Sequence, residues 1–310
     1  MSSESVRVFA PATVANVACG FDVLGFAVNQ PGDEVIAQLT KKPGVRLTKI
    51  SGDDGLLPTE PEKNTAGIAV QRMLEHLDSS AGFDIELHKK MPLSSGLGSS
   101  AASAVASVVA VNYLLGEPLN NLELLPFVIE SERAACGSPH ADNAAPALLG
   151  GFTLIRSYDP LEVLRLPVPD SLYCTLLHPD VEVLTGHARK LLPPDVPLRD
   201  AVTQWGNLGG FITALHCSDY ELLGRSIQDV IVEPVRSKLI PAFTDLKQAA
   251  LDSGALGCNI SGSGPSMFAL STSESSANSI AEAMAQVCSD RGIKNQTYVS
   301  AINTVGPRIS

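Results

Sequence analysis

The sequence predicts an α+β fold divided into two domains, and three observations carry that prediction. The chain has 310 residues, more than one core of ordinary size requires. Strand-like and helix-like segments interleave irregularly, which argues against a regular doubly wound sheet. Pro167-Val168-Pro169 interrupts the pattern and marks the expected boundary, giving domains over 1–168 and 169–310. With 45% hydrophobic and 18% charged residues, the chain buries a sizeable core and is not a disordered polymer.

The elements follow from local pattern. Residues 6–14 alternate apolar and polar and read as a strand. Two more strands are expected near 33–39 and 45–50, with turns at Pro31-Gly32 and Pro43-Gly44. The Gly-, Asp-, Pro- and Glu-rich stretch 52–63 is loop. Ile68, Val70, Met73, Leu74 and Leu77 form the apolar stripe of a helix over about 64–78. Phe83 to His88 alternates as a strand. The Ala/Val-rich segment at roughly 101–115 is helical and small all round, so it packs closely on a sheet. A helix over about 120–133 and a strand from Gly150 to Arg156 follow. Beyond the boundary, Leu172 to Leu177 is a strand, and 198–216 and 238–252 are helices. Leu256 to Ile260 and Met267 to Leu270 flank a glycine loop. A helix over 275–290 and a strand over 297–303 complete the chain, with no internal repeat.

The net charge of −11, with neither half basic, argues against nucleic acid as a partner. The six cysteines, at 19, 136, 174, 217, 258 and 288, form no Cys-x-x-Cys, so they read mainly as buried free thiols in a reducing compartment. Met1-Ser2-Ser3-Glu4 has neither an apolar signal core nor an Arg-rich transit character. The longest apolar run, about 101–115, is too short to span a bilayer. The expected location is cytoplasmic.

The most informative segment is Pro92-Leu93-Ser94-Ser95-Gly96-Leu97-Gly98-Ser99-Ser100-Ala101-Ala102-Ser103. Two glycines and five hydroxyl residues run into a helix. Glycine lets backbone N–H groups approach closely, and a helix start offers unpaired donors and partial positive charge, so the segment is suited to an anion. A serine that caps the helix in a tight turn is the structural alternative. No Gly-Lys-Ser/Thr follows the glycines, so this is not a Walker A loop, and Gly-x-Gly-x-x-Gly is not completed either.

The segment resembles the phosphate-binding motif of the GHMP small-molecule kinases. Two more segments match in the family's order: Ala10-Pro11-Ala12-Thr13-Val14-Ala15-Asn16-Val17-Ala18-Cys19-Gly20-Phe21-Asp22, and Asn259-Ile260-Ser261-Gly262-Ser263-Gly264-Pro265-Ser266. Within the group, the chain is most similar to the members that phosphorylate homoserine. Pro139-His140-Ala141-Asp142-Asn143, Ala188-Arg189-Lys190 and Glu233-Pro234-Val235-Arg236 carry that likeness. The resemblance implies an N-terminal domain like ribosomal protein S5, a ferredoxin-like C-terminal domain, and an active site between them. It implies ATP and Mg²⁺ as cofactors, L-homoserine as the acceptor on a route to threonine, and a homodimer.

The resemblance also assigns residues. Asn64, Pro92, Gly96, Leu97, Gly98, Ser99 and Ser100 face ATP, and Ser100 and Glu132 hold the metal. Asn16, Asp22, His140, Asn143, Thr185, Arg189 and Arg236 face the acceptor, with Asn143, His140 and Glu132 as the catalytic group. Each has a plainer reading: Asn64 as a helix N-cap, Glu132 as a solvated helix carboxylate, Asp22 as a turn residue, the arginines as surface ion pairs. The His140-Ala141-Asp142-Asn143 cluster lacks any Gly-x-Ser-x-Gly or His-Glu-x-x-His companion, so hydrolase and metalloprotease chemistry is not supported. Paired guanidinium groups suit a carboxylate, and Asp22 suits an ammonium. Asn143 stands where several relatives place an Asp, which implies in-line phosphoryl transfer without a dedicated carboxylate base. Alternatives are a mevalonate, shikimate or sugar kinase of the same group, or a ligand sensor that lost catalysis. The chain departs from the commoner pattern at Ala18-Cys19 and at Gly186-His187.

Overall fold

The computed structural model describes residues 5–310. The expectations for Met1 to Glu4 and for the Cys136 side chain lie outside the described residues. The first half contains β1 (Ser5–Ala15), β2 (Leu24–Thr40), β3 (Gly44–Ser51), α1 (Thr65–His76), β4 (Gly82–His88), α2 (Ser99–Leu114), α3 (Asn121–Cys136), α4 (Ala141–Leu149), β5 (Phe152–Tyr158) and β6 (Leu161–Leu166). The second contains β7 (Tyr173–Pro179), α5 (Thr185–Lys190), α6 (Leu198–Cys217), α7 (Tyr220–Ser226), α8 (Glu233–Arg236), α9 (Phe243–Asp252), β8 (Gly257–Ile260), β9 (Met267–Ser271), α10 (Glu274–Asp290), β10 (Asn295–Ala301) and β11 (Arg308–Ile309).

Two sheets result. The first has seven strands, with the path β11-β1-β2-β4-β3, while β5 pairs with the start of β2 and with β6. The second has four, in the order β10-β7-β9-β8. All pairings are antiparallel except β3 with β4. The link 167–172, where the boundary was expected, joins β6 to β7, the last strand of one sheet to the first of the other. The C-terminal strand then crosses back: Val8 pairs with Ile309 on the edge of the first sheet.

The larger core runs through both halves, and a second, smaller one lies between the C-terminal sheet, α9 and α10. The buried Phe26 ring lies 4.8 Å from Phe152 and 5.9 Å from Phe268 of the second sheet, and Phe152 lies 5.8 Å from Phe211 on α6. Buried aromatic pairs at such spacings add to their area burial and tie the sheets together. α2 is buried nearly all round and packs on β1 and β2, because its Ala and Ser residues permit close approach. Among the described residues no helix is long and apolar enough to cross a membrane. Cys19, Cys174, Cys258 and Cys288 are buried free thiols, and Cys217 is exposed.

Two expectations are corrected, and one element was missed. Pro31-Gly32 is not a turn between two strands; it lies within β2, where residues 28–31 are the long side of a register irregularity between the pairs Pro11–Gly32 and Thr13–Ala27. Within such a bulged segment the ladder does not need the missing proline N–H, so Pro31 is tolerated inside the strand. The helix α4, which follows His140 and accommodates Pro146 inside it, was not read from the sequence. The helix expected over 238–252 starts only at Phe243, behind a separate short turn carrying Arg236.

Candidate active site

A cleft of about 1120 Å³ is lined by residues from the first, second and third glycine-bearing segments together. Every site residue expected from the sequence lines it. These are Asn64, Pro92, Gly96, Leu97, Gly98, Ser99 and Ser100 around the loop, Glu132, His140 and Asn143, and the group Asn16, Asp22, Thr185, Arg189 and Arg236.

The 92–98 loop is shaped by close approach. Gly98 has φ +70°, and a Cβ there would fall 2.0 Å from Thr13 Oγ1 and 2.7 Å from Asn143 Oδ1. Gly96 has φ +78°, and its Cβ would fall 2.3 Å from the Ser261 carbonyl. Only glycine fits both the left-handed backbone and the space. Gly98, not a serine, is the N-cap of α2, and no side chain caps the helix. Its first-turn N–H groups therefore face the cleft as free donors at the positive end of the helix. The third glycine segment buttresses this loop: the Ser261 hydroxyl donates to the Gly96 carbonyl at 2.7 Å, and the Ser266 N–H to Ser95 at 3.2 Å.

Asn64 does what its plainer reading describes. Its side chain accepts from the Ala66 N–H at 3.1 Å as the N-cap of α1 and donates to the Pro58 carbonyl at 3.0 Å. It also lines the cleft.

Glu132, on α3, is 3% exposed, not a solvated carboxylate. One oxygen meets His140 Nδ1 at 3.0 Å; the other, Oε1, is buried without a hydrogen-bond partner. Burial alone would lower the His140 pKa. The Glu132 hydrogen bond and charge, helped by Asp142, outweigh it and leave the imidazole above its ordinary value. The Ser100 hydroxyl donates to Thr65 Oγ1 at 3.2 Å, so its lone pairs stay free. An orphaned carboxylate oxygen and a hydroxyl on the phosphate-type loop fit Mg²⁺, which takes few protein oxygens when phosphates supply the rest. Among the described residues no cluster of three or more His, Cys, Asp or Glu forms a cage of its own.

The loop after β1 is strained. Asn16, Val17 and Ala18 have φ of 69°, 40° and 56°, and Asp22 has 60°. Such a run persists only when its surroundings fix it. Asn16 does much of that. Its N–H donates to Asp142 at 3.2 Å, its amide donates to Gly262 O at 2.7 Å, and its Oδ1 accepts from the Asp22 N–H at 2.9 Å. Asn143 Oδ1 accepts from the Thr13 hydroxyl at 2.7 Å.

Asp22 and Arg189 are bonded to one another, with Arg189 Nη2 at 2.6 and 2.7 Å from the two carboxylate oxygens. Thr185 meets Ser263 at 3.1 Å. Arg236 differs from its plainer reading: it is 3% exposed and, among the described residues, donates only to the Gly262 carbonyl at 3.2 Å and leaves Nε without a partner. Its pKa is lowered by burial first and by the nearby Arg189 charge second. Both guanidinium groups lie over the Phe21 ring, at 5.5 and 5.1 Å from its centroid.

Several functional neighbours were not read from sequence. Phe21 and Thr13 lie in the first glycine-bearing segment, where local pattern gives them no role. Tyr158 donates to the Asp22 carbonyl at 3.0 Å from a strand end. Asp229 accepts from the Ile231, Val232 and Glu233 N–H groups at 2.8–3.0 Å and so shapes the turn that carries Arg236. Lys247 holds Glu233 of that turn at 2.7 Å. A lone Asp or Phe carries no local pattern, so only proximity in the fold identifies them.

Comparison with known proteins agrees with this geometry. The family model of the GHMP kinases N terminal domain matches residues 64–151, and that of GHMP kinases C terminal matches 211–290. The chain is 52% identical to a homoserine kinase of Chlorobium phaeobacteroides, covering 99% of each chain. It is 55% identical to a homoserine kinase of Chloroherpeton thalassium, covering 91% of each. The crystal structure of homoserine kinase from Cytophaga hutchinsonii superposes with a TM-score of 0.98 at 58% identity, over 100% of this chain and 98% of that one. Three glycine-bearing segments converging on one cleft, and near-full-length likeness of this degree, place the chain in the GHMP kinases and, within them, in the homoserine kinase family.

Proposed function

We propose that this chain transfers the γ-phosphoryl group of ATP to the side-chain hydroxyl of L-homoserine, giving O-phospho-L-homoserine on a route to threonine. The observation that carries the acceptor is Arg236, a buried guanidinium in the cleft with no carboxylate partner. Buried charges are ordinarily paired, so this one is built for an anion that arrives from outside. A zwitterionic amino acid separates Asp22 from Arg189: its ammonium takes Asp22, and its carboxylate takes Arg189 and Arg236. Each group regains a counter-charge, which a neutral sugar cannot offer.

In the transfer, the homoserine oxygen bonds to the γ-phosphorus as the bond from that phosphorus to the ADP oxygen breaks. The hydroxyl proton passes to the transferred phosphate. Free N–H groups at the start of α2 hold the phosphates. Asn143, fixed by Thr13, and His140, fixed by Glu132, hold the hydroxyl in line. Ser100 and Glu132 would hold Mg²⁺, which when bound neutralises charge on the phosphates. Positioning and electrostatics supply the acceleration, with no dedicated carboxylate base.

An ATP-consumption assay across homoserine, mevalonate, shikimate and galactose tests the reading. Homoserine should be preferred by orders of magnitude; equal turnover of mevalonate would overturn it. The reading also places the enzyme in the cytoplasm, supported by four buried unpaired thiols. A homodimer rests on the family resemblance, and sedimentation equilibrium decides it.

Asp142, beside Asn143, is a carboxylate placed to contradict the baseless mechanism. Burial, with the Asp22 charge second, raises its pKa from 3.8 to about 6. A raised acid holds its proton more tightly folded than unfolded. Its contribution to stability is therefore complete below 3.8 and is lost as the pH rises through about 6. An Asp142→Asn variant should gain thermal stability relative to the parent between those limits, read as Tm against pH, and should keep substantial kcat. Loss of essentially all turnover in a folded variant that binds both substrates would identify Asp142 as the base.

A further inference from the structure

We propose that Asp33, which touches no substrate, is the residue that positions the phosphate loop, acting through a buried pair with Lys89. This rests on reading 92–103 as the ATP loop. Asp33 is 0% exposed on β2, and the Lys89 side chain is 2% exposed. The carboxylate fastens both ends of the loop. At its start, Asp33 Oδ1 accepts the Lys90 N–H at 2.8 Å and the Met91 N–H at 3.2 Å. At its finish, Asp33 Oδ2 accepts the Ser99 hydroxyl at 2.6 Å, on the first residue of α2. The Lys89 ammonium bonds to the same oxygen, to the Ser99 carbonyl at 2.8 Å and to Ser103 Oγ at 2.6 Å.

The loop between these anchors holds Ser94, Gly96 and Gly98 in the left-handed region, with φ of 53°, 78° and 70°. A non-glycine residue there costs energy and stays only if both ends are fixed. A buried ion pair is a weak source of stability, since apolar side chains of the same size do as well or better. Its merit here is geometric. Five donors on one carboxylate, from Lys89, the Lys90 and Met91 N–H groups, Ser99 and Ser103, define where α2 begins relative to β2, and hence where its free N–H groups point. The pair is neutral as a whole, so it sets geometry without adding charge beneath the phosphates.

The test is the double variant Asp33→Asn/Lys89→Met, which removes both charges together. It should fold with a Tm close to that of the parent. Its KM for ATP should rise about tenfold or more and its kcat should fall by about as much, the scale of small misplacements near a reacting centre. Its KM for homoserine should stay within about twofold, since the acceptor group is held by other elements. A lowered Tm with unchanged KM for ATP and kcat per folded molecule would assign Asp33 a structural role only and overturn the proposal. If the double variant does not fold, Ser103→Ala decides. That change removes one contact to Lys89 and one to Asp33, and a rise in KM for ATP alone supports the proposal, whereas unchanged kinetics overturns it. Calorimetric ATP binding to the parent separates the two readings: a parent that does not bind ATP refutes the loop assignment itself, whereas tight binding in parent and variants alike refutes only the role of Asp33.

Discussion

Glu132→Gln should lower kcat by about two to three orders of magnitude, the range for losing one preorganised contact to developing charge. The Mg²⁺ concentration for half-maximal activity should rise with it, because an amide oxygen is a poorer ligand than a carboxylate for a hard cation. The buried Oε1 without a partner is the structural ground for the expectation. A second readout is independent of turnover. Burial lowers the His140 pKa, and Glu132 is the main influence raising it. Without the carboxylate charge, burial prevails and the imidazole should titrate at lower pH, measurable by NMR. Normal turnover of Glu132→Gln at ordinary Mg²⁺ would show that the metal is held elsewhere.

Arg236→Ala should raise KM for homoserine about 100-fold, as expected for a charged partner lost from a buried site. KM for ATP should hardly change. Stability should move the other way. Arg236 is buried with an unpartnered Nε, and its pKa is lowered by burial and then by Arg189. Removing an uncompensated charge relieves that cost, so Tm should hold or rise while affinity collapses. Arg236→Lys should recover little, because a single ammonium cannot reproduce the forked contact with a carboxylate. An unchanged KM for homoserine in Arg236→Ala would refute the carboxylate clamp.

The phosphate loop was legible because its chemistry is local. Gly96, Gly98 and the serines stand next to one another, and an Ala-rich helix follows in the same stretch. β1, β4 and α10 were likewise readable, since their periodicity is set within a few residues. Pro31-Gly32 misled for the opposite reason: turn chemistry was overridden by pairing with Pro11, which the local window cannot see. Pro146 hid α4 in the same way, a helix stabilised by burial against β1, β2 and β5 despite its internal proline.

Residue types at the charged group were visible, but their partners were not. From the sequence Asp22 and Arg189 read as two separate substrate contacts. In the fold they are bonded to each other, 167 positions apart, so the free site is already electrically closed there. Along the chain Arg236 also reads as a surface ion pair, and only the fold shows it buried beside Phe21, which is the ground for proposing it as an anion receptor. Asp33 and Ser99, 66 positions apart, give no sign of each other along the chain. The sequence by itself determined the loop, the order of the segments and the kinds of charge available. Which charges are spent on one another, and which remain for substrate, was decided by the tertiary structure. A pairing energy depends on distance and burial, and neither is a property of sequence neighbours.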